Sequence, residues 1–200
     1  MRTALLEWAE AQQQDIPELH QFECTRRVPV PTDKWWEARY EHPAERRAEC
    51  LIRDLRPAKD ARRGRQALLG RDDQGIAAVF VWTWERQNLA FVNVVALHCR
   101  VRGSGARRYS SDMVESAAEQ IAGEAADRGV TNLFVVANIH ESNRASRAFA
   151  DWWGMRSTGE ISDDGYELFS VRLGFAAMRR PAFAASTDGE GAAAPALSPS

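Results

Sequence analysis

Leu89-Ala90-Phe91-Val92-Asn93-Val94-Val95-Ala96-Leu97-His98-Cys99-Arg100-Val101-Arg102-Gly103-Ser104-Gly105-Ala106-Arg107-Arg108 is the stretch that decides the fold of this chain of 200 residues. Its first nine residues are nearly all apolar. That run predicts a strand buried on both faces, in mid-sheet with helices on each side. A glycine-containing loop follows. Tyr109, Met113, Val114, Ala117 and Ile121 then recur at three and four residues, a helical period that continues through Ala125 and stops at Arg128-Gly129. A strand feeding such a loop into a helix start aligns free N–H groups at the positive end of the helix dipole. Phosphate oxygens bind well there, and glycine lets the backbone approach them closely. Arg107 and Arg108 add charge. A Gly-x-Gly before a helix is a weak signal alone. No Gly-Lys-Ser/Thr follows, which removes a P-loop, and the strands upstream are wrong for the first unit of a dinucleotide fold.

Working outward, Gln66 to Gly70 reads as a short strand and Asp72-Asp73-Gln74-Gly75 as a turn. Ile76 to Glu85 is rich in Val, Phe and Trp, as strands are, and Arg86-Gln87-Asn88 turns the chain again. Downstream, Thr131 to Ala137 predicts another buried strand. Glu141 to Trp153 predicts a second helix with Ser142 or Asn143 near its cap and Gly154 at its end. Ile161 to Leu173 predicts a closing hairpin turning at Asp163-Asp164-Gly165. From Gln66 the order is strand, strand, strand, loop, helix, strand, helix, strand, strand. That order gives an α/β fold with a mixed sheet.

The amino-terminal third is less patterned. Leu5, Trp8, Ala9 and Gln12 sit at helical spacing and predict a helix over residues 2–14, with a short strand near Phe22. Trp35-Trp36 opens a second helical region that Pro43 interrupts or restarts before Cys50, Leu51, Ile52 and Leu55 bury a face. Arg53, Arg56, Lys59, Arg62, Arg63 and Arg65 form a basic linker. Beyond Arg180-Pro181 the composition falls to Ala, Ser, Gly and Pro. The expected organisation is one domain over residues 1–175, with helices and linker over 1–65 and the sheet over 66–175, then a disordered tail over 176–200.

The loop and its surroundings resemble the GNAT superfamily of acetyltransferases. The family signature, Gln/Arg-x-x-Gly-x-Gly/Ala after the fourth strand, is matched by Arg100-x-x-Gly103-x-Gly105. About forty residues on, Asn143-x-x-Ser146-x-x-Phe149 with Trp153-Gly154-Met155 is similar to the family's Asn-x-x-Ala/Ser helix and its Gly-Phe close. The resemblance covers about Gln66 to Leu173. It implies a mostly antiparallel central sheet flanked by helices, with the fourth and fifth strands, Leu89–Leu97 and Thr131–Ala137, splayed apart. It implies acetyl-CoA as co-substrate and no metal. The pyrophosphate would lie on the backbone of Arg100, Val101, Arg102, Gly103, Ser104, Gly105 and Ala106. The coenzyme arm would lie beside Asn143 and Ser146 and pair with the strand edge at Val95 to Leu97, where an N–H would polarise the thioester carbonyl.

Acetyl transfer to an amine needs a neutral nucleophile, a place for charge on the thioester oxygen, and a proton for the leaving thiolate. Where many family members carry a tyrosine acid this chain has Ala150, so Tyr109, Tyr166 or water would serve. The fourth strand lacks the family's glutamate. Glu85, across the turn from Ala90, approximates its place, with His98 and Glu141 as the other candidate bases. Trp35, Trp36 and Tyr40 fall where the family covers its acceptor. The expected activity is transfer of an acetyl group to a primary amine of a small molecule or of a peptide or protein. Other readings are a non-catalytic acyl-CoA-binding regulatory module and a toxin-like aminoacyl-tRNA acetyltransferase.

Composition narrows the partners. A formal charge of −2 gives no global reason for nucleic acid, though the Arg53–Arg65 cluster keeps tRNA open. Cys24, Cys50 and Cys99 show no paired spacing, which predicts a reducing compartment and no zinc site. The first residues lack an apolar leader, and no run nears the roughly 20 apolar residues that cross a bilayer. The expectation is a cytoplasmic protein with no membrane partner. A homodimer is left open.

Overall fold

The computed structural model describes residues 5–25, 43–103 and 106–174. The expected aromatic cover at Trp35, Trp36 and Tyr40, the loop residues Ser104 and Gly105, and the tail over 176–200 lie outside the described residues. Seven strands form one sheet: β1 (Glu7–Glu10), β2 (Arg65–Asp72), β3 (Gly75–Arg86), β4 (Leu89–Leu97), β5 (Asn132–His140), β6 (Arg156–Ile161) and β7 (Tyr166–Gly174). Their spatial order is β1-β2-β3-β4-β5-β7-β6. Every pairing is antiparallel except β4 with β5, which run parallel. The helices are α1 (Ile16–Leu19), α2 (Pro43–Arg53), α3 (Pro57–Ala61), α4 (Ala106–Asp127) and α5 (Arg144–Trp152). This is the mixed sheet that the element order predicts, mostly antiparallel and flanked by helices as the family resemblance implies.

Two apolar clusters sandwich the sheet. On one side Met113, Val114, Ala117 and Ile121 of α4 and Ala150 of α5 pack with Phe80, Trp82, Ala90, Val92, Leu133 and Val135. On the other, Ile52 of α2 and Leu19 of α1 pack with Leu69, Val79, Val81, Val94 and Ala96. Fully burying side chains of this kind stabilises by roughly 1.5–3 kcal/mol each. Among the described residues, no helix is long and apolar enough to cross a membrane.

Several local expectations are corrected. Residues 7–10 form an edge strand, not part of a helix over 2–14. The unpaired rim of β2 recruits them in register, Glu7 opposite Arg71 and Trp8 opposite Gly70, and backbone pairing there outweighs a helical spacing. The Leu6 N–H (3.1 Å) and the Trp8 indole N–H (2.9 Å) donate to Asp112 of α4, which fixes the strand's entry. A Cβ at Gly70 would sit 2.6 Å from the Trp8 ring and 2.7 Å from Leu6, so a larger residue would push these side chains aside. Phe22 is buried but lies outside any strand. Its neighbourhood is held by the buried Glu49 carboxylate, which accepts from the Cys24 N–H (3.0 Å) and from Thr25. On α2, Ile52 is buried while Cys50 is exposed. The basic linker contains α3, and its arginines are partly tied down: Arg53 to the Phe22 carbonyl, Arg56 to the Leu55 carbonyl, Arg65 to Asp60. The closing hairpin starts earlier than expected, at Arg156, with its turn at 162–165.

The strand buried most completely on both faces is not β4. β3 is, with seven consecutive buried residues from Ile76 to Trp82. β4 and β5 instead alternate. In β5, Leu133, Val135, Ala137 and Ile139 face the core under α4 and α5, whereas Phe134 on the other face is 37% exposed. In β4 the half-buried residues Phe91, Asn93 and Val95 border an opening in the sheet. β4 thus lies mid-sheet with helices on each side, as its apolar run predicts, but Phe91, Asn93 and Val95 border a cavity where full burial is expected.

Candidate active site

The opening is made by the chain parting β4 from β5. Their parallel ladder runs from Leu89–Phe134 to Val92–Ala137 and stops there, although β4 continues to Leu97 and β5 to His140. The cause is visible in β4. Val81 pairs with Val94 and Trp82 with Val92, so Asn93 is an extra residue with no partner on β3. Such a bulge bends a strand and raises its twist. It also switches the face of the residues beyond it: Ala90 and Val92 pack under α4 and α5, Val94 and Ala96 under α2. Thr83 Oγ1 donates to Asn93 Oδ1 at 2.7 Å and holds the bulge. The β5-facing edge beyond it, including Val95 to Leu97, has no strand partner among the described residues.

A cavity of about 570 Å³ fills this gap and runs through the sheet. Arg47 and Leu51 of α2 border it on one side, Phe149, Ala150 and Trp153 on the other. Val95, Asn143 and Ser146 line it, while Leu97 is buried in the core beside it. Helix α5 is positioned by several independent contacts. Asn143 caps it, accepting from the Ser146 N–H at 3.1 Å, a bond type worth about 1 kcal/mol. Arg147 bonds the buried Glu167 of β7, which also accepts from Ser157. Trp153 meets Phe80 edge-on, with ring centroids 5.8 Å apart. The side chain of Asn143 is thus a helix cap that also borders the cavity.

At the tip of β4 the loop folds into a 3-10 turn over Cys99–Val101. The His98 N–H reaches the Ala77 carbonyl (2.8 Å) and the Cys99 N–H that of Glu23 (2.7 Å). The N–H groups of Arg100, Val101 and Arg102 are used inside the turn, on His98 Nδ1 and on the carbonyls of His98 and Cys99. The Arg100 side chain grips Asp72 through two bonds of 2.7 and 2.8 Å and the Gly75 carbonyl at 2.9 Å. Arg100 therefore anchors the loop to the β2–β3 turn. An anion at the mouth of α4 would meet the chain from Gly103 onward. Gly103 has φ +120 and nothing within 4 Å of where a Cβ would be. The first turn of α4 contains Ala106 and the exposed Arg107 and Arg108 and no acid. Open space, a glycine conformation and an unopposed helix dipole are the features an anion site needs.

The expected bases are not brought to the opening. Glu85 is exposed at the far end of β3, where β4 begins, and does not border the cavity. Glu141 is exposed and outside it as well. His98 sits edge-on to Phe22, with ring centroids 5.3 Å apart, and serves the loop. Burial, helped by the Arg100 charge, lowers its pKa below the ordinary 6.5. Its Nδ1 accepts from the Arg100 N–H, a bond that only the neutral ring can make. In the unfolded chain His98 takes up a proton first, so this corner is fully stable above about pH 6.5 and weakens as the pH falls below it. Thermal unfolding followed between pH 7 and 5 should show a falling midpoint, and His98→Asn, which keeps an acceptor without titrating, should make that fall shallower. An identical slope in the variant would remove His98 from the account.

Of the tyrosines named as acids, Tyr109 packs on α4 against the core, and Tyr166 borders the cavity. Tyr166 stands at the start of β7 opposite His140 at the end of β5, ring edge to ring face at 5.1 Å. Arg47 of α2 donates to the Tyr166 hydroxyl at 2.8 Å and lies 5.4 Å from its ring centroid. Gly165 makes room for this corner: its φ is +81, and a Cβ there would meet His140 Nε2 at 2.8 Å. His140 Nδ1 accepts from the Ser142 N–H at 3.2 Å. Arg47, His140, Asn93 and Asn138 have no place in the sequence motifs. Asn93 alone left a trace, as a polar residue inside an apolar run.

No family model matches this sequence, and no curated protein does. Solved structures do match its fold. A variant of a spermidine N-acetyltransferase from Vibrio cholerae aligns over 88% of this chain and 98% of its own, with a TM-score of 0.54 at 11% identity. An acetyltransferase of the GNAT family from Staphylococcus aureus aligns over 84% and 99%, with a TM-score of 0.53 at 10% identity. An acetyltransferase from Streptococcus agalactiae aligns over 84% and 98%, with a TM-score of 0.52 at 13% identity. At these identities the likeness is one of fold, and the fold is that of the GNAT acetyltransferases.

Proposed function

We propose that this chain is an N-acetyltransferase that moves an acetyl group from acetyl-CoA to a primary amine. The observation that carries the reading is the β4–β5 ladder ending at Val92–Ala137, with a cavity running through the sheet from that point. A parted parallel pair has an unpaired strand edge on which an extended amide-bearing arm can dock as a strand would. It also lets two reactants meet from opposite faces. The co-substrate is held with its diphosphate at the α4 mouth, on the chain from Gly103 onward, and with its arm between Val95 and the Asn143–Ser146 turn.

When bound, acetyl-CoA supplies a thioester whose carbonyl carbon an amine can attack, forming the N–C bond as the C–S bond breaks. The chain's part is threefold. The free edge of β4 offers a backbone N–H for the charge that builds on the carbonyl oxygen. The α2 face of the opening, with Arg47 and Asp164 both exposed, is wet enough for the attacking amine to lose its proton to water. Tyr166 delivers a proton to the departing sulfur: its oxygen already accepts from Arg47, which leaves its own O–H for donation. Ala150, where a tyrosine acid would stand in the family, is 1% exposed and leaves this role to the other side of the cavity.

The test is calorimetric titration with acetyl-CoA, followed by thiol release with a panel of primary amines. Binding together with amine-dependent thiol release is the expected result. Binding without release would make the chain a coenzyme-responsive module, and no binding would end the reading.

A further inference from the structure

The charges around the α2 side of the opening are unequal. Among the described residues the cavity is bordered by Arg47, Arg65 and one carboxylate, Asp164. Arg65 is neutralised by Asp60 at 3.6 Å. Arg47 has no carboxylate partner among the described residues, and one of its N–H groups reaches the Tyr166 hydroxyl. A guanidinium has five donors, so among the described residues the rest of this planar fork is unused. An acceptor with several ammonium groups would need several carboxylates here. Among the described residues, one acid against an arginine with no carboxylate partner is the reverse arrangement.

Resting on the reading above, we infer that the acceptor is an amine that also bears an anionic group, a carboxylate or a phosphate, and that Arg47 of α2 binds that group. The placement is consistent with transfer. Arg47 holds the Tyr166 hydroxyl with one N–H, so an anion seated on its remaining donors lies next to the proposed proton donor, on the face opposite α5. A planar fork binds carboxylate or phosphate oxygens in pairs. That fixes the orientation of the amine as well as its identity. Arg47 is exposed, so water competes and the discrimination is about tenfold rather than a thousandfold.

The experiment compares kcat/KM by thiol release for matched amines: phenylalanine against phenethylamine, and phosphoethanolamine against ethanolamine, with spermidine as the polycation. At least one anionic member should exceed its neutral-tailed partner by about tenfold or more, and spermidine should be the poorer substrate. Arg47→Ala should bring the favoured pair to equal kcat/KM through a rise in KM of the anionic member. Calorimetry should show its acetyl-CoA affinity within about twofold of the parent. A loss of Tyr166 positioning would lower kcat for both members alike and leave their ratio intact, so the ratio reports the anion contact. Preference for spermidine or for the amines without an anion, a ratio unchanged by Arg47→Ala, or a variant that loses acetyl-CoA instead would each overturn the inference. So would coenzyme binding with no turnover of any anionic amine. If the parent protein binds no acetyl-CoA at all, the failure belongs to the function itself, and this inference falls with it.

Discussion

Gly103→Asp is expected to weaken acetyl-CoA binding by at least a hundredfold while leaving the sheet and helices in place. Two physical effects add. The backbone at Gly103 has φ +120, a region in which side-chain-bearing residues cost roughly 1–3 kcal/mol, so aspartate pulls the loop away from the shape that aims it at the α4 mouth. The new carboxylate also stands where a diphosphate would lie, and like charges a few ångströms apart repel by about 1 kcal/mol or more even near water. Each 1.4 kcal/mol is a factor of ten in affinity. Nothing lies within 4 Å of the Gly103 Cβ position, so no core contact is lost and the circular dichroism spectrum should not change. Gly103→Ala separates the two effects, because it carries the backbone strain without the charge and should lose about tenfold. Calorimetry on the three proteins decides. Parent-like affinity in the aspartate variant would mean that this mouth holds no diphosphate.

The parts of this architecture that the sequence discloses are those set by neighbours along the chain. The long helix announces itself through Met113, Val114, Ala117 and Ile121 at three and four residues, and those are the residues buried under the sheet. Asn143 and Gly154 mark the ends of α5 because capping chemistry is local. The order of strands and helices after Gln66 follows from alternating apolar runs and turns, and the resemblance to a known family added the parting of β4 from β5. What escaped is what distant residues impose. Four residues become β1 only because the rim of β2, some sixty positions on, needs hydrogen-bond partners. Nothing local says that Phe91, Asn93 and Val95 of β4 border a cavity, or that Phe134 on the second face of β5 meets solvent. The Arg47–Tyr166 contact joins positions 119 residues apart. The motif gives a role only to the Arg100 backbone, and nothing in it says that the side chain is held by Asp72, a carboxylate at the β2–β3 turn. The corner around Arg47, His140 and Tyr166 is thus the least legible part, because it is assembled from helix, strand ends and turn, with no motif spanning them.

Tyr166→Phe is the substitution that puts the chemistry itself at risk, and kcat should fall by about a hundredfold or more near pH 7, the usual scale for removing a positioned acid. The ring is retained, so the edge-on contact with His140 survives and the α2 and β7 ends stay packed. Arg47 loses an acceptor but is exposed, and water replaces it at little cost. Acetyl-CoA affinity should therefore match the parent, which separates this result from the Gly103 variants. The pH profile carries the sharper discrimination. A thiol of pKa near 8.5 leaves as a stable anion once the pH exceeds that value, so the proton from Tyr166 matters less in alkali. The deficit of Tyr166→Phe should be deepest at neutral pH and should narrow as the pH rises through about 8.5. A deficit of constant size across that range would assign the tyrosine to positioning and not to proton delivery. A variant with parent kcat would leave water as the acid and take Tyr166 out of the mechanism.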